Sequence, residues 1–114
     1  MRPISRKQHG LADYLFAAGE AALPYVLEMG ATPRRLLRAS ALNGLLLSAL
    51  TRYELGLVKL VPLRAHLAAD GAVAALVLGA AGFLRGEPPR VRAVLAALGL
   101  SGGLVAALTD PDRA

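Results

Sequence analysis

The chain of 114 residues contains two histidines, and each stands four residues before an aspartate: His9 with Asp13, and His66 with Asp70. Side chains four apart on a helix share a face, so each pair presents an imidazole and a carboxylate to one point in space. If the two pairs meet, two imidazoles and two carboxylates form a donor set for a divalent metal or a relay for protons. Glu54 and Asp112 fall at matching places further along the chain and join the same candidate polar cluster. The commoner use of such a pair is structural. An aspartate in the first turn of a helix is stabilised by the macrodipole, and a neighbouring histidine or arginine simply pairs with it.

Glu20 stands apart from these, in the middle of an apolar stretch. It reads as an intramembrane carboxylate, which must pair with an arginine, hold a proton or face water, because an isolated charge there is costly. Other chemistries find no support. The absence of cysteine removes disulfides, thiol nucleophiles and thiolate metal sites. No phosphate loop, zinc-protease motif, Ser-His-Asp set or dinucleotide fingerprint is present, and Gly99-x-x-Gly102-Gly103 is a packing feature of an apolar helix. The sequence points to no cofactor. Haem ligation by His9 and His66 would lack an aromatic pocket, and the expectation is of a protein that is not an enzyme.

Charge gaps and chain breakers define four helices that would position these groups, about Leu11 to Leu27, Leu36 to Leu50, His66 to Leu84 and Arg92 to Leu108. Gly30-Ala31-Thr32-Pro33 and Gly86-Glu87-Pro88-Pro89 separate the members of each pair. Short connections make each pair an antiparallel hairpin. The longer connector, Thr51 to Arg64, mixes Tyr53, Glu54 and Lys59 with Leu and Val and is expected to lie along a membrane interface.

The medium around the helices follows from composition. Hydrophobic residues make up 55% of the chain and charged ones 18%, with a mean hydropathy of +0.49. Gly71 to Leu84 has no polar side chain, and Ala93 to Leu108 has only Ser101. A helix apolar on every face belongs in a bilayer or at the centre of a large protein, and a chain of this size is too small to provide such a centre. The uncharged runs fall short of the ~20 residues that span a hydrocarbon core, which keeps a soluble Ala/Leu-rich bundle in play. Snorkelling by Arg38 and Arg85 lengthens the effective spans. The formal net charge of +5 flanks the apolar runs without interleaved aromatics, which fits anionic lipid headgroups and excludes nucleic acid as the expected partner. Small residues such as Gly79, Gly82 and Gly103 permit close helix contact and leave a homo-oligomer or a membrane-protein partner open.

The chain also reads as a duplication, with repeats at about residues 1–56 and 57–114. Lys7-Gln8-His9 with Asp13 aligns with Arg64-Ala65-His66 with Asp70 at an offset of 57. After one residue of drift, Ala49-Leu50-Thr51 falls on Ala107-Leu108-Thr109, and Glu54 on Asp112. An even number of spans per copy gives both copies the same orientation, related by an axis along the membrane normal. His9, Asp13, Glu54, His66, Asp70 and Asp112 then share one side. The basic residues divide almost evenly between the two sides, so sidedness stays open.

His9-Gly10 with Asp13-Tyr14, the run Thr51-x-Tyr53-Glu54-x-Gly56, and His66 with Asp70 together resemble the SPW-repeat family of small bacterial integral membrane proteins. In that family a two-helix unit occurs once or twice, with a Ser-Pro-Trp signature in its first helix. Leu23-Pro24-Tyr25 and Ala81-Gly82-Phe83 stand at the signature positions here. The resemblance covers nearly the whole chain and implies a multi-pass protein of the bacterial cytoplasmic (inner) membrane. The expected architecture is an all-α, four-helix transmembrane bundle of two parallel-related hairpins in a single membrane domain. The expected role is a structural or accessory subunit, with a small transporter or an ion- or proton-conducting oligomer as the alternative.

Overall fold

A computed structural model describes residues 2–114. The protein is all-helical: α1 (Arg6–Val26), α2 (Ala31–Ala49), α3 (Leu63–Phe83) and α4 (Pro89–Ala107). Among the described residues, β-pairing is confined to two isolated bridges. Each helix begins about one turn before the charge gaps predict. The reason is local. Arginines and lysines are good helix formers, so a cluster of them at the edge of an apolar run extends the helix. Specific caps then set the starts. Ser5 accepts from Gln8 N while the Gln8 side chain accepts from Ser5 N, a capping box for α1. Pro89 opens α4 at a position where a missing N–H costs nothing.

The extra turns change the length argument. Helices of 19 to 21 residues extend about 28–31 Å, close to the ~30 Å hydrocarbon thickness. Two of them, α3 and α4, are long and apolar enough to cross a membrane. Only 11% of the apolar window of α3, and 22% of that of α4, is buried inside the protein. These helices therefore turn most of their apolar surface outward.

α1 packs along α2, and α3 along α4, while contact between the two hairpins is much thinner. Both hairpin turns lie at one end of the bundle, where Met29, Leu37, Val77, Ala81, Val91 and Leu95 form the apolar core. The α1–α2 turn is closed by Met29 N donating to Pro24 O at 2.8 Å, with Glu28 at a positive φ of 50°. Arg90 reaches across from α4 and donates to Leu27 O.

At the opposite end, the segment before each odd-numbered helix meets the end of an even-numbered one. Val61 N donates to Leu50 O at 2.7 Å, and Arg52 N to Val61 O at 2.8 Å. Ile4 N donates to Leu108 O at 3.1 Å, and Asp110 N to Ile4 O at 2.8 Å. The connector between α2 and α3 folds back beneath the bundle, with Tyr53 buried and Leu57 exposed.

α3 and α4 pack closely at Gly99, where an added Cβ would lie 2.7 Å from Leu78 N and 2.9 Å from Ala74 O. Backbone atoms cannot swing aside as a flexible side chain does. Gly99→Ala is therefore expected to destabilise the fold by about 1–3 kcal/mol, whereas Gly71→Ala, with nothing within 4 Å, is expected to be neutral or mildly stabilising. Denaturant unfolding of the two variants in mild detergent checks the contrast.

Candidate functional site

α1 and α3 begin side by side, and their first two turns carry His9, Asp13, His66 and Asp70 to a common centre. His9 Nε2 lies 3.0 Å from Asp13 Oδ1 and 2.9 Å from Asp70 Oδ2. His66 Nε2 lies 3.1 Å from Asp13 Oδ2 and 3.0 Å from Asp70 Oδ2. Each imidazole thus touches its own aspartate and the one from the other hairpin. The ring centroids are 5.3 Å apart and nearly perpendicular. Both histidine side chains are 1% exposed, and the aspartates are only partly so.

The other ring nitrogens meet two threonines from the far ends of the even-numbered helices. His9 Nδ1 lies 2.7 Å from Thr109 Oγ1, and His66 Nδ1 lies 2.6 Å from Thr51 Oγ1. A hydroxyl has a single proton, and both are already committed: Thr109 donates to Val105 O and Thr51 to Leu47 O, each at 2.5 Å. Each threonine can then only accept from the imidazole. Nδ1 is the donor in both rings, and Nε2 is turned into the centre.

Tyr53 completes the surroundings, its hydroxyl donating to Asp13 Oδ2 at 2.7 Å while its ring tilts against His66. Burial pushes the phenol well above its usual range.

The remaining candidates lie elsewhere. Glu54 pairs with Arg6 at 3.2 Å, and Asp112 with Arg64 at 2.9 Å, both towards solvent. They form two corresponding ion pairs that flank the centre without entering it. Glu20 is buried and lines a cavity of about 70 Å³ whose walls include His9, Asp13 and Asp70 at one end and Ser40 and Asn43 beside the glutamate. At roughly 10–15 Å³ for each water, the cavity has room for several. Among the described residues, no arginine pairs with Glu20.

Thr51, Thr109 and Tyr53 are the site residues that sequence reasoning did not assign. A signal existed for the threonines, since they terminate the best-matched stretch of the two halves. Their role depends on each helix end crossing to the other hairpin, which no spacing along the chain reveals.

Comparison with family models, with curated proteins and with solved structures gives no match. The chemistry of the site therefore rests on its geometry. Four ligand-type atoms, one from each of His9, Asp13, His66 and Asp70, lie within 4.8 Å of one another, a spacing that either shared protons or a single cation can bridge.

The raised Tyr53 pKa gives the fold a pH dependence with a definite sign. The unfolded chain releases this proton near pH 10, while the folded chain holds it. The corresponding stabilisation is complete below about pH 10 and is lost as the pH climbs above it. Tyr53→Phe is expected to flatten that decline. Unfolding free energies of the two proteins across the alkaline range provide the measurement.

Proposed function

We propose that the chain is a multi-pass integral protein of the bacterial cytoplasmic membrane, a small structural or accessory subunit whose four helices cross the bilayer as two parallel-related hairpins fastened by the His/Asp centre. The observation that carries this reading is the outward apolar surface of α3 and α4, of which only 11% and 22% of the apolar windows are buried. Exposed leucines continue the belt onto the other two helices, at Leu15 in α1 and Leu42 and Leu46 in α2. Water would make such a surface an aggregation site, whereas lipid covers it at no cost. Arg35, Arg85 and Arg90 sit exposed at the hairpin-turn end, as basic anchors for anionic headgroups do.

Internal duplication, and with it membership of the SPW-repeat family, belongs to the same reading. It is supported by the like roles of His9 and His66, Thr109 and Thr51, and the ion pairs Arg6–Glu54 and Arg64–Asp112. Thin contact between the hairpins leaves a further copy or another membrane protein as a partner of the bundle.

Four spans put both termini and the α2–α3 connector on one side and both hairpin turns on the other. The chain has no native cysteine, so single cysteines report topology cleanly. In sealed cells, Leu57→Cys and Gly86→Cys are expected to react with an impermeant maleimide from opposite sides, with the protein resisting alkaline carbonate extraction. Labelling of both from one side, or release by carbonate, would overturn the reading.

The cavity joining the His/Asp centre to Glu20 favours a second function, conduction of protons or small cations. A buried carboxylate, a water-sized space and a titratable cluster are the parts of an intramembrane relay. Proteoliposomes carrying an internal pH dye test it. A proton leak that collapses in Glu20→Gln supports conduction, and leak no greater than that of empty vesicles removes it.

A further inference from the structure

The geometry points to a binding site for one first-row divalent transition-metal ion, of the zinc type, held by His9 Nε2, His66 Nε2 and the carboxylates of Asp13 and Asp70. The inference rests on the cluster itself and stands whether or not the helices cross a bilayer.

Three features separate a metal site from a plain ion-pair knot. The first is tautomer control. Metal-binding imidazoles characteristically donate their second ring N–H to a fixed acceptor, which aims the other nitrogen at the ion. Here both rings donate from Nδ1 to a threonine whose own proton is engaged, at 2.7 Å for His9 and 2.6 Å for His66. The same device appears twice, once for each hairpin.

The second feature is convergence. Each Nε2 lies 2.9–3.1 Å from oxygens of two different aspartates. A single N–H cannot point along both directions, whereas an ion at the centre engages all four groups. Ligands about 2.0–2.2 Å from a tetrahedral ion are roughly 3.4 Å from each other. The four His–Asp contacts need to open by a few tenths of an ångström, and the wider pairs of the set, all within 4.8 Å, need to close around the ion. Tyr53 adds an outer support by donating to Asp13 Oδ2.

The third is charge. Both imidazoles are 1% exposed, and a buried site tolerates little net charge. Two carboxylates, two neutral imidazoles and one divalent cation sum to zero. So does the same centre holding two protons in place of the ion. Metal and protons are therefore interchangeable occupants, and the cavity alongside His9, Asp13 and Asp70 supplies a route for the exchange.

The donor set selects the class of ion. Two imidazoles with two carboxylates suit zinc, cobalt, iron or manganese, while magnesium and calcium prefer all-oxygen shells and the lack of thiolate disfavours copper(I).

The test uses the full chain in mild detergent, stripped with chelator and titrated with Zn²⁺ by calorimetry in two buffers of different ionisation enthalpy. Saturable binding of one ion per chain is expected. Co²⁺ is expected to give the intense visible bands of a four-coordinate centre. His66→Gln should abolish binding. Thr51→Val, which keeps all four ligands, should weaken it by about 10- to 100-fold, and Glu54→Gln should leave it unchanged. Absence of saturable Zn²⁺ binding by the wild-type chain overturns the inference. So does binding that survives in His66→Gln, because it places the ion elsewhere.

Discussion

Burying four ionisable side chains at one point is the constraint on which this bundle depends. His9, Asp13, His66 and Asp70 come from two hairpins that otherwise touch only lightly. Removing such groups from water costs several kcal/mol for each ion unless partners meet them with good geometry. The fold supplies those partners from every direction. Threonines close the far side of each ring, Tyr53 closes one aspartate, and each carboxylate answers both imidazoles. The helix ends are consequently held in register to within hydrogen-bond tolerance. The apolar core around Leu37 and Leu95 lies at the other end of the bundle. One end is tied by directional bonds and the other by packing, with the small cavity and Glu20 between them.

Much of this arrangement was legible in the residues. The four-residue spacing of His9 and Asp13, repeated at His66 and Asp70, gave the shared face, and the Gly- and Pro-containing breaks gave the hairpins. What one dimension could not resolve was which acidic groups converge. Glu54 and Asp112 align as well as the aspartates do, yet each lies just past the even-numbered helix of its half and finds the arginine in the first turn of the odd-numbered helix, Arg6 or Arg64. Helix starts were misjudged because arginine clusters look like boundaries when hydropathy alone is read, although arginine continues a helix readily. Thr51 and Thr109 escaped assignment for a different reason. A threonine near a helix end commonly bonds back to its own helix, and these do so while also receiving an imidazole from the other hairpin.

Apolar and polar chemistry coexist here because they occupy different radii. Leu15, Leu42, Leu46, Leu76 and Leu100 point outward, while the His/Asp centre and Glu20 point inward. The small residues between them let α3 and α4 pack through backbone contact at Gly99. In the bilayer setting proposed above, no hydrophobic drive joins the helices, and close packing and interhelical hydrogen bonds hold the bundle together. This chain uses packing within each hairpin, and joins the two hairpins by hydrogen bonds at one end and by the apolar core at the other.

The paired bridges at the polar end carry a topological consequence. Ile4 meets Thr109 in the same manner as Val61 meets Thr51, although Val61 and Thr51 are joined by a short stretch of chain and Ile4 and Thr109 stand at its two extremities. Spatially the polypeptide is almost a closed ring, and the chain ends mark just one of two equivalent gaps in it. Joining the termini and reopening the ring within the α2–α3 connector would redraw the order of the halves while leaving every contact at the centre in place.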